Sequence, residues 1–343
     1  RDISDFQFDR VIGKGGFGQV WLGHDLRTGK FCAIKELQAE KLTPHGVTSF
    51  LREINTMVKL RNERFILPFV GYTIDAPYSL ITEYEPNGTL YDYTHKTRRK
   101  ASLTNTHLTI NAMCIAYGMM KMHDKSIVHR DLKCLNILMD HNYLPMICDF
   151  GTSRALLENS AHKMTPYINR KLTPYTGTIT HMAPEILFMR PPPNYRKKEN
   201  PDSKSGSPQK KDLRDMIDFT KVPLFETYGL SCDVYSYGMI LYEMSQNQIP
   251  FGVSKEHIVS CIQKNTKPAI KRQTPKCLVE TIYSCINHNP SKRPSFEDLY
   301  NKFKTGQIYF LETNVKTVAK FAEELEKLGP RNLPPPPQNP TVD

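Results

Sequence analysis

The sequence predicts an α+β fold in two lobes: a small β-rich N-terminal lobe with one main helix, then a larger helical C-terminal lobe. Three observations predict it. Residues 6–37 alternate apolar and polar positions around glycine-rich breaks, the pattern of β-hairpins. A helical stretch near 47–60 and two strand-like runs near 65–84 then complete a sheet with a single helix. From about 103 onward helical periodicity dominates, at 103–123, 232–246, 255–264 and 277–287. The first lobe is expected to span 1–84 and the second 89–305, joined by a hinge over 83–88, Glu83-Tyr84-Glu85-Pro86-Asn87-Gly88. Residues 306–343 form a C-terminal extension. There Val315, Val318, Ala322, Leu325 and Leu328 share one helical face before Gly329-Pro330 stops the helix and a proline-rich tail follows. That face is expected either to pack on the large lobe or to mediate self-association.

Composition bounds the class. A chain of 343 residues with 39% hydrophobic and 24% charged residues is an ordinary globular protein of about two domains. No run approaches the roughly 18 apolar residues that a membrane span needs, and the start has no signal-peptide pattern. The absence of an initiator Met at Arg1 is expected of a segment of a longer protein. Eight scattered cysteines without metal-ligand spacing point to reduced thiols and a cytoplasmic setting. The net charge of +11 raises the question of nucleic acid, but much of the excess sits in Arg98-Arg99-Lys100 and in a loop after Arg190, without interleaved aromatics. Solvated loops are the expectation, with no nucleic-acid partner. Residues 190–221, opening with Pro191-Pro192-Pro193 and continuing through Arg196-Lys197-Lys198, read as a basic disordered insert.

Chemistry enters with Gly13-Lys14-Gly15-Gly16-Phe17-Gly18-Gln19-Val20. Glycines at these spacings let backbone N–H groups approach phosphate oxygens. The same spacing marks dinucleotide folds, but those place a helix directly after the glycines, whereas Gln19-Val20-Trp21-Leu22-Gly23 continues as a strand. Lys35 then ends the apolar strand Cys32-Ala33-Ile34. Downstream, His129-Arg130-Asp131-Leu132-Lys133-Cys134-Leu135-Asn136 precedes Asp149-Phe150-Gly151. Phosphoryl transfer needs a carboxylate to orient the attacking hydroxyl and accept its proton, and oxygen ligands for Mg²⁺. Asp131 fits the first role; Asn136 and Asp149 fit the second.

On these strings the chain resembles the eukaryotic protein kinase family over about residues 6–305, within a domain of 1–305. The resemblance implies a bilobal protein-kinase fold with ATP and Mg²⁺ (Mn²⁺ as the alternative ion) bound between the lobes. Ile12, Gly13, Gly15, Gly16, Phe17 and Gly18 would line the nucleotide, and Val20, Ala33 and Leu138 would sandwich adenine. Thr82 would be the gatekeeper, with Glu83 and Tyr84 offering hinge backbone groups. Lys35 would bridge the α- and β-phosphates and pair with Glu53, since Glu36 and Glu40 lie too near Lys35 and outside the helix. Glu185, in Ala183-Pro184-Glu185, would pair with Arg293, and Asp233 would anchor the catalytic loop. Protein substrates, and an upstream kinase or self-phosphorylation, would be its partners. A pseudokinase scaffold is the alternative of another class, but Lys35, Asp131, Asn136 and Asp149 all stand.

Lys133, two residues after the catalytic aspartate, and Thr178 match serine/threonine kinases, where the lysine neutralises the transferring phosphate. Met182-Ala183-Pro184-Glu185 and Ile81-Thr82-Glu83-Tyr84 resemble the tyrosine-kinase-like branch, which keeps dual or tyrosine specificity as an alternative. Phosphorylation at Thr173, Tyr175 or Thr176 is expected to order the activation loop through Arg130. Four positions depart from the family pattern or stand out beside it: Cys134 for proline, Tyr235 for tryptophan, Thr152 for an apolar residue, and Cys148 just before Asp149. Glu185 and Asp233 are 48 positions apart, against about a dozen implied by the family.

Overall fold

Glycines at close backbone approaches shape the first sheet. The structure is a computed structural model and describes residues 1–15, 18–37, 44–95, 103–155, 179–189 and 228–332. Strands β1 (Phe6–Gly15), β2 (Gly18–Asp25) and β3 (Phe31–Leu37) form an antiparallel meander in which Gly13 faces Val20 and Gly15 faces Gly18. Gly23 has no room for a side chain, because a Cβ there would collide with the Gln7 carbonyl. Helix α1 (Pro44–Leu60) follows, then β4 (Phe69–Tyr72) and β5 (Ser79–Glu83). The five strands run in the order β1-β2-β3-β5-β4. Alternation along β3 points Cys32 and Ile34 into a core with Phe6 and Ile81, which puts Ala33 and Lys35 on the opposite face.

Short pairings and helices follow. Thr89 caps α2 (Leu90–Thr94), and Thr104 caps α3 (Asn105–Asp124), each through a capping box. Strand β6 (Ile127–Val128) pairs with β9 (Arg154–Ala155), and β7 (Ile137–Met139) with β8 (Pro145–Ile147). Beyond them lie α4 (Pro184–Leu187), α5 (Ser231–Gln246), α6 (Lys255–Gln263), α7 (Lys276–Cys285), α8 (Phe296–Lys304) and α9 (Val315–Leu328). The mixed α+β fold, a β-sheet part and a helical part, is the one the sequence predicts.

By compactness the chain forms two units. The first comprises Arg1–Arg130, Cys134–Ala155 and Phe296–Asp343, the second Asp131–Lys133 and Leu156–Ser295. Within the first, α3 packs against α8 and α9. The buried face of α9 is Val318, Ala322 and Leu325, while Val315 and Leu328 at its ends stay exposed. The predicted apolar stripe thus packs on α3 and α8, with only its middle covered. Within the second, α5 lies so close to α7 that a Cβ on Gly238 would sit 2.7 Å from Cys285 Cβ and 2.8 Å from Ile286 Cγ2. Ile179, Leu187, Phe188, Ile258, Val259 and Ile262 form a separate core there. Among the described residues no helix is long and apolar enough to cross a membrane. The insert 190–221, Gly16, Phe17, Glu40, Thr173, Tyr175, Thr176 and Thr178 lie outside the described residues.

Candidate active site

Strand β3 delivers Lys35 to one side of its sheet, where α1 presents Glu53. The ammonium donates to both carboxylate oxygens, at 2.8 and 2.9 Å, and lies 3.9 Å from Asp149 Oδ1. Glu36, the neighbour weighed in the sequence, instead accepts from Trp21 Nε1 at 3.0 Å. Burial works against the Lys35 charge, but the Glu53 and Asp149 carboxylates outweigh it and hold the ammonium above the ordinary lysine range. The Glu53 side chain is 6% exposed against 25% for Lys35, so the pair is sealed on the helix side and open on the other. A cation held this way can meet phosphate oxygens without being reoriented.

Asp149 is fixed by its neighbours. It adopts a left-handed backbone (φ 64°, ψ 67°), as does Arg130 (φ 71°), a conformation that costs about 1–3 kcal/mol for such residues and gathers at functional sites. Before it, the Cys148 amide donates to the Asn136 carbonyl at 3.0 Å, and the Cys148 carbonyl accepts from His129 Nε2 at 3.0 Å. After it, Phe150 is fully buried beside the His129 ring. Ser49 on α1 donates to the Gly151 carbonyl at 3.0 Å, and Thr56 shares a hydrogen bond of 3.0 Å with Ser153. Thr152, the polar residue at an apolar position, donates to the His129 carbonyl at 2.7 Å. Its hydroxyl therefore ties the segment after Asp149 to the residue that follows β6, a role no apolar residue can fill. The signal was visible as a departure, but its partner was not.

The remaining predicted nucleotide residues of the first unit line up along the strands. Thr82 is buried on β5 opposite Ala33, and Glu83 faces Cys32. Ala33, Val20 and Leu138 are half-buried. The Glu83 amide donates to the Pro68 carbonyl at 3.0 Å, so this residue can offer a base only an acceptor. Ile12 and Gly13 lie on β1. Asn136 is buried at the end of a one-turn 3₁₀ helix running straight into β7.

In the second unit, Lys133 Nζ donates to Asp131 Oδ2 at 2.9 Å, so the cation stands beside the carboxylate as the serine/threonine pattern implies. Arg293 meets Glu185 through two bonds of 2.6 and 2.8 Å, with 0% and 1% of these side chains exposed. The same guanidinium donates to the Ser231 and Asn287 carbonyls at 2.9 and 2.7 Å and lies 5.2 Å from the ring centre of Tyr235, the residue found where tryptophan is usual. Asp233 is fully buried in the first turn of α5, where the helix dipole favours a carboxylate.

The profile of the protein kinase domain matches residues 6–202, more than half of the chain, and that of the protein tyrosine and serine/threonine kinases matches 221–303. The chain belongs to the protein kinase family. The serine/threonine-protein kinase STY46 of Arabidopsis thaliana is 26% identical over 95% of this kinase chain and 47% of its own length. The serine/threonine-protein kinase CTR1 of the same plant is 31% identical over 85% of this chain and 30% of its own. A dual specificity protein kinase, shkB, of Dictyostelium discoideum is 27% identical, covering 87% and 40%. The chain thus spans less than half the length of each of these relatives.

The Arg293–Glu185 pair generates a stability prediction. Arg293→Met leaves a buried carboxylate without its partner and should cost about 3–5 kcal/mol in urea unfolding. Removing both charges, as Arg293→Met with Glu185→Leu, should recover most of that loss. Equal instability of single and double variants would show that the pair is not what holds this region.

Proposed function

We infer that this kinase transfers the γ-phosphoryl group of ATP to serine or threonine hydroxyls of protein substrates. The observation carrying this reading is the bidentate Lys35–Glu53 pair with Asp149 beside it, a cation positioned to meet phosphates in a chain where Asp131 and Asn136 also stand. Lys35 binds and orients the α- and β-phosphates. Ile12, Gly13, Gly15, Gly16, Phe17 and Gly18 cover the nucleotide, Val20, Ala33 and Leu138 pack on adenine, and Thr82, Glu83 and Tyr84 frame its edge. Asp131 orients the acceptor hydroxyl and takes its proton. Lys133, donating to Asp131, neutralises charge on the transferring group, and Thr178 supports both.

One carboxylate and one amide oxygen, from Asp149 and Asn136, form a hard-oxygen donor set that suits Mg²⁺, an ion usually shared with substrate phosphates rather than caged by protein. Held by these two residues, Mg²⁺ would neutralise charge on the phosphates. Serine/threonine specificity is favoured by the Lys133–Asp131 contact, with dual specificity as the second reading, and a cytoplasmic setting by the scattered cysteines.

Control by phosphorylation of Thr173, Tyr175 or Thr176 is supported by crowding of positive charge. Arg52 on α1 is depressed from its ordinary value first by burial and then by the charge of Arg130. Arg52 and Lys59 line a cavity of about 330 Å³ that reaches Ala155, the last described residue before position 179. A phosphate would relieve that repulsion.

An arrayed Ser/Thr/Tyr peptide library phosphorylated by the purified chain tests the reading. Asp131→Asn should lower transfer by at least about 10³-fold while leaving Mg·ATP affinity within about threefold; wild-type turnover by that variant would overturn the assignment. In the same assay a chain with Thr173, Tyr175 and Thr176 replaced by Ala, Phe and Ala should lose activity. Full activity there would remove the regulatory part.

A further inference from the structure

Arg331 lies beyond the last residue that either kinase profile matches, yet its side chain is bound into the first unit. Its Nη1 donates to the Ile66 carbonyl at 2.7 Å, and its backbone N–H to the Asn62 carbonyl at 2.6 Å. Its Nη2 lies 3.3 Å from Met146 Sδ. Two residues earlier, the Gly329 carbonyl accepts from Arg64 Nε at 2.6 Å. Gly329 (φ 59°, ψ −161°) takes a conformation essentially reserved for glycine, and it turns the chain off α9 toward these contacts. The helix that delivers the segment is itself fixed. Glu326 accepts from Tyr300 at 3.1 Å and from Lys304 at 2.6 and 2.8 Å, and Thr313 shares a hydrogen bond of 2.7 Å with Thr109.

These contacts lead to the hinge. Ile66 and Leu67 are joined to Ile147, and the next carbonyl, that of Pro68, accepts the Glu83 amide. Arg331 also lines a cavity of about 560 Å³ together with hinge residues 83–86. The titratable and charged groups around Glu85 there are Glu83 and Tyr84 of the hinge, Asp140 and His141 between β7 and β8, Arg10 of β1, and Arg331. Burial pushes the Glu85 carboxyl up to about 7, Asp140 and Glu83 add to the rise, and Arg331 opposes it. Three acidic residues, Glu83, Glu85 and Asp140, therefore share this cavity with Arg331.

We propose that Arg331 is a positioning residue for nucleotide binding: residues 329–331 latch the C-terminal helix onto segment 62–68, and the guanidinium offsets the hinge carboxylates, holding the hinge in the shape that receives the base. The proposal rests on the kinase reading above. It gives the extension after the kinase domain a role in ATP affinity that the catalytic strings do not contain.

The sign of the pH dependence follows. Arg331 lowers the Glu85 pKa, so its coupling is present where Glu85 is ionised and is lost as pH falls through that carboxyl's pKa. Mg·ATP dissociation constants, kcat and KM for ATP are to be measured on the full chain from about pH 6 to about pH 8.5. Arg331→Met should raise both Kd and KM about 5- to 20-fold at the upper end, with kcat within about twofold. The ratio to wild type should shrink as pH falls, and adding Glu85→Gln should recover much of the loss. Arg331→Lys, which keeps the charge, should retain most of the affinity and serves if the Met variant does not fold. Unchanged ATP affinity in a folded Arg331→Met would overturn the latch. A pH-independent loss that Glu85→Gln does not relieve would overturn the offsetting of the hinge carboxylates, and, should the Met variant not fold, an Arg331→Lys chain no better than one truncated after residue 328 would overturn the proposal. A wild-type chain that binds ATP but transfers no phosphate would sink the kinase reading while leaving the latch to stand on its Kd values.

Discussion

The two bonds between Lys35 and Glu53 make sense of much of the first unit. Taking a carboxylate and an ammonium out of water costs several kcal/mol per ion, and the cost is met only if geometry is tight and the pair is not left half made. Everything around it constrains that geometry. The alternation of β3 sends Cys32 and Ile34 inward, so Lys35 must face the other way. Helix α1 brings Glu53, and on the same helix Ser49 and Thr56 bond the segment just after Asp149. The helix that holds the cation thus also holds the backbone just after Asp149. A shift of α1 would disturb both at once.

The second buried pair, Arg293 with Glu185, serves another purpose. Its side chains are sealed from solvent, and the guanidinium also donates to the Ser231 and Asn287 carbonyls. Four of its five N–H donors are thus spent inside the protein, and the pair pins α4 to the start of α5 and to the segment after α7. The Lys35 pair differs in being open on one side. Exposure separates a charge that organises structure from one that can do chemistry.

Much of this was legible in the sequence, and the gaps have physical causes. The strands and long helices announce themselves by period, and Lys35, Glu53, Asp131, Lys133, Asn136 and Asp149 stand in strings whose spacing is tied to phosphoryl transfer. Strands β6 to β9 have only two or three residues each, too few for any alternation to register. Helix α8 escaped although Phe296, Leu299, Tyr300 and Phe303 repeat at helical spacing, because the charged residues between them resemble a loop. Thr152 was visible as an oddity, but a hydrogen bond to a carbonyl 23 positions away leaves no local trace. Gly329-Pro330 marked a helix end and nothing more; that the next residue reaches Ile66 depends on how α9 packs.

If the Lys35–Glu53 pair orients the nucleotide, Glu53→Gln should disturb it with little change of shape. A glutamine keeps one acceptor for Lys35 but removes the charge that holds the ammonium in place. Single-turnover phosphorylation of a preferred peptide by this variant should be slower than wild type by about 10²-fold or more, with the unfolding midpoint still that of a folded domain. Transfer at the wild-type rate would contradict the claim that this pair organises the active site.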